Sequence, residues 1–159
     1  MASQWIFLEP TVSAPELKST SLDKPFAPGQ SITFVSTSFD PIADTTVNLD
    51  SAGFYFTKDG DVLLSISIRR HQNRIIFNSR QGGTWGHEQS IDLQGVFPGP
   101  RAITHVTANA TKYNIAFNNS SNIHTFTKVI QGDPTGVLHF ENNSKPVFSD
   151  PVITAVIEN

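Results

Sequence analysis

The chain has 159 residues and a formal net charge of −3, and its Lys and Arg are scattered, so the basic footprint of a nucleic-acid binder is missing. It has no cysteine, so nothing in it depends on an oxidising compartment, and no apolar run approaches membrane-spanning length. Its length fits one domain, taken here as 1–159, that buries roughly two-thirds of its unfolded surface without a metal or disulfide.

Charged residues make up only 16% of the chain, against about a quarter in average domains, while Ser, Thr, Asn and Phe are plentiful. That balance favours pleated, half-buried surfaces over helices. The amino terminus, from Met1 to Pro10, carries no basic leader and no sustained apolar stretch. The expectation is cytoplasmic synthesis without a signal peptide, with any export by a non-classical route. The sequons at Asn109, Asn118, Asn119 and Asn142 matter only on a secretory route.

Alternation and turn residues predict strands near 3–8, 31–38, 45–57, 61–70, 74–80, 84–91, 102–108, 112–119, 122–129, 136–141 and 151–158. Between them stand Pro28-Gly29, Asp59-Gly60, Gly82-Gly83, Pro98-Gly99-Pro100, Asn118-Asn119-Ser120 and Asp133-Pro134, all turn signals. No convincing helix, internal repeat or linker is found. Many short strands at regular spacing predict an all-β, antiparallel sandwich.

The run 62–69 allows its two faces to be assigned, because successive side chains point to opposite sides of a sheet. Val62, Leu64, Ile66 and Ile68 form an apolar row that packs, while Leu63, Ser65, Ser67 and Arg69 point the other way, toward solvent. In the next strand Phe77 packs and Asn78 and Arg80 face out, with Ile76 beside them. The tight connection from Arg70 to Asn73 makes these strands neighbours. After Gly82-Gly83, the strand carrying Trp85 lies alongside and brings Glu88 and Ser90 onto one face.

Together these residues build a polar shelf beside one indole. Trp85 offers a ring for the apolar C–H face of a pyranose, or else fills the core as a sandwich Trp usually does; Gly82, Gly83 and Gly86 leave it uncovered. Arg69 and Glu88 either clamp sugar hydroxyls, at about 1.5–3 kcal/mol each when shielded, or form a surface ion pair worth roughly 0–1 kcal/mol. Asn78 bonds a hydroxyl or ends a strand. Arg70, His71, Gln72 and Arg80 stand near enough to extend the shelf, or are simply solvated.

Enzymatic readings fare poorly. The histidines at 71, 87, 105, 124 and 139 have no metal-ligand spacing, so neither a metal nor another cofactor is expected. A sandwich glycosidase needs two carboxylates flanking one bond, and the shelf has only Glu88. No phosphate-binding loop or nucleophile elbow is present. A protein-interaction module remains open on fold alone.

The ordered set Arg69, Asn78, Trp85, Gly86 and Glu88 resembles the sugar-binding run of the galectins. The likeness is greatest to their fungal branch, through the short loop after Arg69, the Ile76-Phe77-Asn78-Ser79-Arg80 run and the segment Val147 to Val152. The resemblance implies a jelly-roll sandwich that binds β-galactoside-type glycans of glycoproteins or glycolipids without catalysis, as a dimer or tetramer. It also implies a site lined by Ser65, Ser67, Arg69, Asn78, Trp85, Glu88 and Ser90. Three of these depart from the family pattern. Ser65 stands where the family has the histidine that bonds the axial hydroxyl of galactose. Ser67 stands where most members have asparagine, although some fungal relatives carry small residues there, and Ser90 replaces a second arginine that supports the glutamate and reaches the neighbouring sugar. The implied specificity is therefore altered, with GlcNAc-type or fucosylated glycans as the alternative.

Overall fold

The computed structural model describes residues 3–8, 20–40, 51–118, 122–142, 147–148 and 152–157. Its strands are β1 (Ser3–Leu8), β2 (Thr20–Ser21), β3 (Ser31–Ser36), β4 (Ser51–Lys58), β5 (Asp61–Arg69), β6 (Arg74–Gln81) and β7 (Thr84–Trp85). They continue as β8 (Gln89–Asp92), β9 (Ala102–Ala108), β10 (Lys112–Phe117), β11 (Ile123–Thr127), β12 (Gly136–Asn142) and β13 (Val152–Ile157). One sheet runs β1-β13-β3-β9-β10-β11; the other runs β2-β12-β4-β5-β6, with β7 and β8 both pairing the outer edge of β6. Each strand pairing among the described residues is antiparallel.

The expected all-β architecture is present, a sandwich of jelly-roll type. The helical content of the described residues is a single 3-10 turn at Arg70–Gln72, closed by Asn73 in the left-handed conformation. The strand expected over 84–91 is two short strands with Gly86 to Glu88 standing outside the ladder between them. The two residues of β2 were not expected, and 45–50 lie outside the described residues.

Phenylalanine holds the sheets together. Phe34 of β3 stacks on Phe54 of β4 across the interior, with ring centroids 3.9 Å apart, and Phe56, Phe26 and Tyr113 continue the aromatic layer. Ile66, Ile68, Phe77, Val106 and Ile115 are fully buried around it. Offset and edge-on ring pairs of this kind add roughly 0.5–1.5 kcal/mol beyond their area burial.

The sheet that carries the shelf is pinned at Gly53. A side chain there would overlap the carbonyl oxygen of Ile66 on β5, so the close approach of β4 to β5 requires glycine. Beneath it, the buried His139 bonds the Gly53 carbonyl through Nδ1 at 2.9 Å. Gly53→Ala is expected to destabilise the fold by about 1–3 kcal/mol through overpacking. A urea unfolding midpoint equal to that of the wild type would contradict this close approach.

Candidate functional site

The face of this sheet turned away from the core is concave, and its cavity of ≈ 500 Å³ is lined by Ser65, Ser67, Arg69, Asn78, Trp85, Glu88 and their neighbours. Six of the seven residues singled out in the sequence therefore meet in one place. The register explains how: Ser65 stands opposite Tyr55 on one side and Asn78 on the other, while Ser67 stands between Gly53 and Ile76.

Two expectations are refined by the geometry. Ser65 and Ser67 lie on the outward row, but they are buried, as is Asn78, because larger neighbours rise around them. The serines form the floor of a cavity rather than an open shelf. Ser90 shares this face opposite Ile76 but does not line the cavity; its hydroxyl accepts a hydrogen bond from Arg74 Nη2 at 2.6 Å.

The walls include residues that sequence reasoning passed over. Tyr55 of β4 and Phe140 of β12 contact each other at 4.5 Å, and Tyr55 stands 5.8 Å from Trp85. Burial raises the Tyr55 phenol above its ordinary range, opposed in part by the charges of Arg80 and Arg69, so it remains a neutral hydroxyl donor at neutral pH. Ser51, His71 and Gln72 complete the rim, and Arg69 Nη1 donates to Gln72 Oε1 at 3.4 Å. Arg70 points away into the fold, its guanidinium donating to the Asp40 carbonyl at 3.1 Å.

Trp85 is 41% exposed, which excludes the core reading. Its ring is flanked by Tyr55 and by the Arg80 guanidinium, 5.5 Å from the ring centroid. The two-residue loop Gly82–Gly83, with both residues at positive φ, turns β6 back and delivers Trp85 opposite Arg80.

Asn78 lies inside β6 rather than at its end, and it fixes the following segment. Its Nδ2 donates to the Gly86 carbonyl at 3.0 Å, the Gly86 N–H donates to Ser79 O at 2.9 Å, and Asn78 Oδ1 accepts from the Ser79 N–H. These bonds hold Gly86 to Glu88 away from the ladder, so Glu88 reaches over to Arg69 Nη2 at 2.8 Å. At 29% and 48% exposure the pair contributes little to stability. Its rigidity leaves the remaining guanidinium donors and carboxylate lone pairs aimed at the cavity.

From the far side, His124 stacks on Phe77 with centroids 4.0 Å apart and its Nε2 lies 3.0 Å from Gln89 Oε1, buttressing β8. Burial lowers the affinity of this imidazole for a proton. The site thus combines an aromatic platform, a fixed donor-acceptor pair and a floor of small hydroxyls. Among the described residues no cluster of His, Cys, Asp or Glu could hold a metal ion.

Residues 18–145 match the model of the galactoside-binding lectin family. Galectin-1 of Coprinopsis cinerea is 36% identical over 122 residues, covering 76% of this chain and 75% of that protein. Galectin-2 of the same fungus is 31% identical over 85% of each chain. An anti-tumor lectin of Cyclocybe aegerita is 32% identical over 84% of this chain and 87% of its own. The fold superposes on the Caenorhabditis elegans galectin LEC-6 with a TM-score of 0.68, at 14% identity over 97% of this chain and 96% of that one. A toad ovary galectin in complex with thio-digalactose gives 0.54 at 16% identity, over 85% and 87% of the two chains.

Proposed function

The chain belongs to the galactoside-binding lectin family, and on that premise we propose that it binds glycans in the cavity described above, without catalysis. The observation that carries this is the exposed Trp85 ring beside the fixed Arg69–Glu88 pair in one cavity. An indole stacks on the apolar face of a pyranose while the pair and Asn78 take its hydroxyl edge. A single carboxylate, Glu88, among the described residues that line the cavity suits binding and not glycosidic hydrolysis. The proposal extends to a single carbohydrate-recognition domain over the whole chain, made in the cytoplasm. It also extends to a homo-oligomer whose several sites cross-link glycans, raising weak single-site affinity.

The specificity proposed is a relaxed preference for β-galactosides. Ser65 is shorter than histidine and sits on the buried floor between Tyr55 and Asn78, so it reaches an axial hydroxyl through water, with less orientational control. A site that bonds a hydroxyl directly rejects an analogue lacking it far more strongly than one relying on shape. Calorimetric titration with lactose is therefore expected to show tighter binding for Ser65→His than for the wild type. A wild type that already binds lactose tightly and gains nothing from Ser65→His would overturn the relaxed specificity.

A further inference from the structure

Beyond the cavity, the same face carries a further guanidinium that the site described so far does not use. Arg74 stands directly opposite Arg69 across β5 and β6, and opposite Asp92 across β6 and β8. Like charges placed opposite each other on a sheet are unfavourable, so this pairing needs an explanation. Each arginine has its own carboxylate: Glu88 pairs with Arg69, and Asp92 pairs with Arg74 Nη1. The result is a charged row along the face, Glu88, Arg69, Arg74 and Asp92, in which two guanidiniums lie between two carboxylates and carry the polar surface beyond the cavity lining. A strand spacing is roughly 4.8 Å, comparable with one pyranose ring.

Arg74 is also oriented. Its Nη1 is held by Asp92 and its Nη2 by the Ser90 hydroxyl at 2.6 Å, which leaves further N–H donors and a side chain 37% exposed. We propose that Arg74 contacts the second sugar of a disaccharide whose first sugar lies against Trp85. It thus carries out from β6 the guanidinium role that position 90 does not supply. This rests on the lectin reading of the cavity. Ser90 is the partner that aims Arg74, and its small size makes room for that side chain.

The test compares methyl β-galactopyranoside with lactose on the wild type, Arg74→Ala, Ser90→Arg and the exchange variant Arg74→Ser with Ser90→Arg. Wild type is expected to bind lactose more tightly than the monosaccharide. Arg74→Ala should lose about fivefold to tenfold in lactose affinity, in line with one partly exposed charge-assisted hydrogen bond. Its monosaccharide affinity should stay within about twofold, as expected of a residue outside the first sugar's contacts. Ser90→Arg alone should not strengthen lactose binding, because it sets a second guanidinium against the first, whereas the exchange variant should recover most of what Arg74→Ala loses. If the wild type binds both sugars and Arg74→Ala leaves their ratio unchanged, the proposal falls while the cavity reading stands. If the wild type binds neither, the galactoside reading fails and takes the proposal with it.

Discussion

Trp85→Ala is expected to eliminate detectable saccharide binding while leaving the protein folded. The ring is 41% exposed and is held by Tyr55 and Arg80 rather than by the interior. Removing it strips the stacking surface but opens no core cavity, so the stability change should stay near about 1 kcal/mol, a shift of roughly 2–4 °C in Tm for a chain of this size. Thermal unfolding and glycan titration of the same sample check both halves. A variant that fails to fold would mean that the ring is structural, and one that keeps near wild-type affinity would remove it from the site.

Arg69→Ala should weaken binding about 10-fold to 100-fold, equivalent to losing charge-assisted bonds of about 1.5–3 kcal/mol. The change removes its direct bonds and also frees Glu88, whose orientation depends on the 2.8 Å contact with Arg69 Nη2. Glu88→Ala should act in the same direction, and the double variant should lose less than the sum, because the two residues work as a unit. Strict additivity in the cycle would show that each acts alone. Stability should hardly move in any of the three, since the pair is solvent-screened.

Much of this surface was legible because strands write their faces in period two. The alternation of Val62, Leu64, Ile66 and Ile68 against Ser65, Ser67 and Arg69 fixes the floor, and the turns Asp59-Gly60 and Gly82-Gly83 fall where positive φ is needed. What escaped depended on strands that meet only in the folded sheet. Tyr55 sits in Phe54-Tyr55-Phe56, where three aromatic residues in succession hide which one leaves the core.

Phe140 is harder still, because its flanking residues invert the usual pattern. His139 and Glu141 are the inward, buried ones, with His139 Nδ1 bonded to the Gly53 carbonyl and Glu141 accepting from the Val147 and Phe148 N–H groups, while Phe140 lines the outer cavity. An inward His and Glu beside an outward Phe runs against any reading from hydropathy. Trp85 had two readings in the sequence, between which the neighbouring glycines favoured the uncovered ring, and its own exposure decides. Ser90 was placed on the correct face, but its bond to Arg74 crosses from β8 to β6 and has no local signal.

The central claim, that the cavity beside Trp85 is the glycan site, is tested most directly by the fluorescence of that ring. The chain has two Trp residues, so Trp5→Phe leaves Trp85 as its one indole reporter. Titrating this variant with lactose and a panel of galactose-, GlcNAc- and fucose-terminated oligosaccharides is expected to give a saturable change in emission with at least one glycan. That change should be abolished by Arg69→Ala at the same concentrations. Glycan binding detected by calorimetry with no change in Trp85 emission would place the ligand elsewhere on the protein and contradict the account.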